Sequence, residues 1–100
     1  MLAPEWKAVE WKARMDALLA GLGERIPADV REACESMNFG GEFEECADNL
    51  LAALQQGGVA VRQQEVTELR ALTEAVASHV DGLDYLAGRR AILDEITVIG

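Results

Sequence analysis

Apolar residues recur at helical spacing in four successive segments of this chain. In the first, residues 4–22, Trp11, Met15, Leu18 and Leu22 fall at i, i+4, i+7 and i+11, one stripe of a 3.6-residue period. Trp6, Val9 and Ala13 are expected to widen that face. Pro4 suits a first-turn position, Glu5 complements the N-terminal dipole, and Gly21 and Gly23 stop the helix. The second segment, residues 27–38, turns Val30, Cys34 and Met37 to one side and Asp29, Glu32 and Glu35 to the other. It ends at Asn38-Phe39-Gly40-Gly41. The third, residues 42–56, has the cleanest amphipathic pattern: Phe43, Cys46, Ala47, Leu50, Leu51 and Leu54, closed by Gly57-Gly58. The fourth, residues 62–79, points Val66, Leu69, Leu72, Val76 and Val80 inward before Asp81-Gly82 breaks it.

Residues 83–100 are open between helix and strand. Tyr85, Leu86, Ile92, Leu93 and Ile96 suit a short last helix interrupted by Gly88, whereas the β-branched run 96–99 suits extended chain. No repeat and no low-complexity segment is present. The expected fold is therefore all-α, a single domain over residues 1–100 built as a compact bundle of four to five short antiparallel helices.

Charge changes the picture from fold to partner. Half the residues are hydrophobic and 27% are charged, the balance of a folded chain, but the formal net charge is −9. Residues 29–48 hold seven acids (Asp29, Glu32, Glu35, Glu42, Glu44, Glu45, Asp48) against one base, Arg31, and so carry six of those nine net charges. A surface of one sign repels duplex nucleic acid and anionic membranes, and it steers a positively charged protein toward itself. No basic stretch followed by a long apolar one suggests a secretory leader, and no apolar run approaches a membrane span, so the expected location is cytoplasmic. Glu44, Glu45 and Asp48 also have a local reason to be acidic, since carboxylates near a helix N-terminus gain roughly 0.3–1 kcal/mol each. Glu32 and Glu35, later in the preceding helix, do not.

Candidate chemistry is sparse. His79 is the single histidine and sits where a helix ends, which favours a capping role over catalysis. There is no nucleophile elbow, P-loop, dinucleotide fingerprint or zinc-protease motif. Cys34 and Cys46 are separated by eleven residues without a nearby histidine, so they lack zinc spacing and read as buried free thiols. A di-iron carboxylate site needs two Glu-x-x-His motifs, which one histidine cannot supply. The expectation is a non-enzyme that binds neither cofactor nor metal. Ser36, in Glu35-Ser36-Met37, bears a passing likeness to the acyl-carrier serine, but that serine opens a helix and Ser36 precedes a helix end.

The third and fourth segments together carry a family resemblance. Gly41-Glu42-Phe43, Ala47 and Leu51, a glycine break, then Val59, Val61, Glu65-Val66, Leu69 and Leu72 resemble the Maf-type immunity proteins of bacterial polymorphic toxin systems, over the stretch from Gly41 to Ala75. Val61 stands where that family carries a hydroxyl residue. The resemblance implies a small helical inhibitor that protects a cell from a toxin delivered by its siblings, by stoichiometric binding. Nuclease toxins need basic surfaces, so the charge pattern agrees with that expectation. The expected footprint is Glu32, Glu35, Glu42, Glu44, Glu45 and Asp48, with Phe39 either an aromatic anchor or a plug over the core. The alternative is a helical scaffold or homodimerisation module. Its motivation is an apolar surplus at Trp6, Trp11, Ile96, Val98 and Ile99.

Overall fold

In the computed structural model, which describes residues 2–76 and 85–99, the chain is an all-α bundle. Five helices run α1 (Ala8–Leu22), α2 (Ala28–Phe39), α3 (Phe43–Gln56), α4 (Gln63–Ala75) and α5 (Tyr85–Glu95). Two short strands, β1 (Val61–Arg62) and β2 (Val98–Ile99), pair in parallel with Val61 opposite Val98. His79, Val80 and the break expected at Asp81-Gly82 lie outside the described residues.

The two double glycines end their helices in the same way. After α2, the Glu42 N–H donates to the Met37 carbonyl at 2.8 Å and the Gly41 N–H to that of Asn38 at 3.1 Å. After α3, the Val59 N–H reaches Leu54 and the Gly58 N–H reaches Gln55. This nested pair of bonds needs a left-handed residue at its centre, and Gly41 (φ 77°) and Gly58 (φ 58°) provide it.

The start of α1 differs from expectation. Pro4 and Glu5 form a turn, and the helix begins at Ala8 behind Lys7. The competing contact is distant in sequence: the Ala3 N–H donates to the Ala75 carbonyl at 2.8 Å, which fastens the N-terminal segment to the end of α4. Trp6 therefore precedes the helix and lies half-buried beneath the Arg14 guanidinium, 4.5 Å from its ring centre. Val9 (73% exposed) and Ala13 face solvent and do not widen the inner face, because their stripe lies opposite Trp11, Met15, Leu18 and Leu22. Gly88 does not interrupt α5. Its helix penalty of about 1 kcal/mol is outweighed by the burial of the neighbouring Arg89 and of Leu93.

Trp11 is the centre of the core. It is fully buried, its ring lies 4.6 Å from that of Phe43, and its indole N–H donates to the Leu72 carbonyl at 3.0 Å. Around it the leucines of α1, α3 and α4 join Ile26, Val61, Leu93 and Ile96 in one continuous cluster. The apolar surplus is thus largely absorbed. Trp11 and Ile96 are core, Trp6 is half-buried, and Val98 and Ile99 stay exposed.

Glu65 joins the start of α4 to the connection after α1. Its carboxylate accepts the Arg62 backbone N–H at 2.7 Å and both ends of the Arg25 guanidinium, at 2.9 and 2.6 Å. Burial favours the neutral form of Glu65, but Arg25 and the Arg62 N–H outweigh it and hold the carboxyl below the usual carboxylate range. Arg14 does the same to Glu68. Carboxyls with depressed values stabilise the fold above their unfolded pKa, and that contribution is lost as pH falls through the folded value. Glu65→Gln is expected to cost about 2 kcal/mol in urea unfolding at pH 7. The gap between it and the parent should close as pH falls below about 4. Taking that difference cancels the change in overall charge repulsion common to both proteins.

Candidate functional site

The acidic segment folds into the α2–α3 hairpin, and helical geometry divides its acids. On α2, Glu32, Glu35 and Phe39 fall at i, i+3 and i+7, one outward stripe, and all three are exposed. Phe39 ends the helix with 86% of its surface in solvent, so it is not a plug over the core. Its carbonyl accepts the Lys12 ammonium at 3.2 Å, a cation at a helix C-terminus. Asn38 is buried beside it and ties this end of α2 to α1, donating to the Lys12 carbonyl and to Asp16, both at 2.9 Å.

On α3 the acids take three directions. Glu42, exposed, sits at the cap position before the helix, and Glu45 points directly away from the buried stripe of Cys46, Leu50 and Leu54. Asp48 is exposed too, but its carboxylate is already engaged. Its carboxylate holds the Arg89 guanidinium by two bonds, 2.7 and 3.1 Å, while the arginine, 4% exposed, also donates to the Val76 carbonyl at 2.9 Å. Glu44, half-buried, is one turn from Asp48 on the same flank. The expected set therefore separates. Glu32, Glu35, Phe39, Glu42 and Glu45 lie open on the hairpin, and Asp48 serves α5.

The arginine ion pairs that join elements leave the α2 acids aside. Arg14 pairs with Glu68, Arg25 with Glu65, Arg70 with Asp94, Arg89 with Asp48 and Arg90 with Glu74. Each of these pairs joins two elements, and none involves α2. The base on α2, Arg31, lies 3.9 Å from Glu35 within the same helix and donates to the Gly23 carbonyl at 3.1 Å. Among the described residues, α2 acids meet no cation from another element at salt-bridge distance.

An open groove of about 420 Å³ between α1 and α4 is lined by Arg14, Leu18, Arg62, Glu65 and Glu68. Two of those acids already hold arginines. Among the described residues no three histidines, cysteines or carboxylates gather as a metal site, and no helix is long and apolar enough to cross a membrane. The chain matches no protein-family model, no curated protein and no solved structure.

The Arg25–Glu65 and Arg89–Asp48 pairs were not expected from sequence. Glu65 carries a weak signal, an acid at the third position of a helix, but nothing local selects its arginine. Asp48→Ala should lower stability by about 2 kcal/mol, because it strips a buried guanidinium of its carboxylate. Glu45→Ala should stay within about 0.5 kcal/mol of the parent. Thermal or urea unfolding of the two variants measures both.

Proposed function

We propose that this chain is an immunity-type inhibitor that binds and neutralises a protein toxin with a basic surface, one protein to one. The observation that carries the reading is the outer stripe of α2: Glu32 and Glu35 beside a Phe39 that is 86% exposed, on a helix that the cross-element ion pairs bypass. An exposed aromatic ringed by acids suits a partner that offers an apolar pocket between lysines and arginines. The resemblance of residues 41–75 to Maf-type immunity proteins supports the same class of partner.

On this reading the exposed side chains divide the labour. Glu32, Glu35, Glu42 and Glu45 supply long-range attraction and raise the encounter rate, an effect screened beyond about 8 Å at physiological salt. Phe39 supplies the desolvated contact that slows dissociation. Asp48 holds α5 against α3.

The deciding experiment uses the reading frame immediately upstream of this gene. Co-expression of its C-terminal domain with this chain should restore growth that the domain alone abolishes, and the two should co-elute. Absence of a toxic domain there, or toxicity that this chain leaves untouched, removes the reading. With the pair in hand, Glu32→Lys with Glu45→Lys should slow association at least tenfold at low salt, with the effect shrinking as salt rises. Phe39→Ala should instead speed dissociation roughly tenfold or more, equivalent to at least about 1.4 kcal/mol.

A further inference from the structure

Cys34 and Cys46 meet where α2 packs on α3, inside the hairpin and away from its acidic surface. Both are free and fully buried. Their contacts are reciprocal. The Cys46 Sγ lies 3.3 Å from the Cys34 carbonyl oxygen, and the Cys34 Sγ lies 3.9 Å from that of Cys46. Each side chain thus rests against the other residue's backbone, and the two sulfurs are neighbours across the helix contact. A third group makes the pair unequal: the Asn49 side-chain amide donates to the Cys34 Sγ at 3.5 Å.

That asymmetry assigns two roles. The neighbouring Cys46 thiol draws the Cys34 thiol below its ordinary value, against the burial that opposes it, and the Asn49 amide adds to the effect. Cys46, beside that sulfur and equally buried, is pushed up. A thiol that ionises more readily is the one that attacks an oxidant. The other can resolve the product without leaving its place.

We infer that Cys34 and Cys46 form a dithiol that closes to an intramolecular disulfide when the chain meets a peroxide, with Cys34 attacking and Cys46 resolving. The Cys34 thiolate attacks one peroxide oxygen and the O–O bond breaks. The departing hydroxide takes up a proton and leaves as water, so Cys34 becomes a sulfenic acid. The Cys46 sulfur then attacks the Cys34 sulfur. The S–O bond breaks, and its hydroxide leaves as a second water with the Cys46 proton. Two thiols are oxidised and one peroxide is reduced to two waters. Both sulfurs are closed to solvent, so the oxidant must be small and uncharged and reach them as the α2–α3 contact opens locally. The bridge would join α2 to α3 through two buried side chains, while Glu32, Phe39 and Glu45 are exposed. It does not depend on the proposed partner.

The test is to treat the intact, folded chain with hydrogen peroxide and follow its mass and its free thiols after denaturation. The expected product is the monomer lighter by two hydrogens, with both cysteines protected from alkylation and in one cross-linked peptide pair, reversed by dithiothreitol. Cys46→Ser should leave a Cys34 sulfenic acid that dimedone traps when the oxidised chain is unfolded in its presence, and Asn49→Ala should slow oxidation severalfold while circular dichroism stays helical. The inference is overturned if the native chain keeps two alkylatable thiols under conditions that oxidise the urea-unfolded chain. Formation of intermolecular dimers or sulfinic acid in place of the bridge overturns it equally. Should either variant fail to fold, the mass of the parent chain decides alone.

Discussion

The bundle depends on how the C-terminal end of α4 finds partners for its carbonyl groups. A helix leaves its last carbonyls without intrahelical donors, and burying them unpaired costs as much as losing hydrogen bonds outright. Here the donors come from the rest of the chain. The Trp11 indole takes Leu72, the Val76 N–H takes Thr73, the Ala3 N–H takes Ala75, and the Arg89 guanidinium takes the carbonyl of Val76 just beyond. One helix end therefore fixes α1, the N-terminal segment and α5 at once. Trp11 carries the connection on to α3 through Phe43, and Arg89 does so through Asp48. The start of α4 repeats the device with opposite polarity, where the Glu65 carboxylate takes the Arg62 N–H and Arg25.

These satisfied ends explain which parts of the fold were legible in the sequence. α2 and α3 are governed by local rules, apolar spacing and a double glycine whose second member turns left-handed, so their limits fall within a residue of expectation. The beginning of α1 is governed by a bond between Ala3 and Ala75, and no window around Pro4 contains that information. Gly88 has the same lesson in reverse. Its local cost is real, but Arg89 is needed at the end of α4 and on Asp48, and a continuous α5 is what delivers it. The tail's β-branched residues pointed to extended chain, whereas its partner, Val61–Arg62, was hidden inside what periodicity assigned to the approach of α4.

The candidate surface was legible in composition and only half so in geometry. Counting charges along residues 29–48 finds the acidic hairpin, but a count has no phase. The 100° step between residues sends Glu45 outward and turns Asp48 and Glu44 toward a flank, and the arginine that meets Asp48 there, Arg89, lies forty-one residues after it. A carboxylate that serves a buried guanidinium and one that faces solvent look identical in sequence. Phe39 was equally ambiguous. It ends a helix in a stripe with Glu32 and Glu35, and that phase, not its aromaticity, is what leaves it in solvent.

The distribution of bases, more than that of acids, gives the surface its character. Five arginines each bridge two elements, and together they staple α1, α3, α4 and α5 to one another and to the turn after α1. Ion pairs of this kind contribute little singly when exposed, but each also removes a positive charge from the solvent-facing field. Among the described residues α2, held by apolar packing, Asn38 and the glycine cap, takes part in no ion pair with another element. A net charge of −9 spread evenly would favour solubility alone. Six of those nine net charges fall instead within residues 29–48, the α2–α3 hairpin, where Glu32 and Glu35 share an outer stripe with the exposed Phe39.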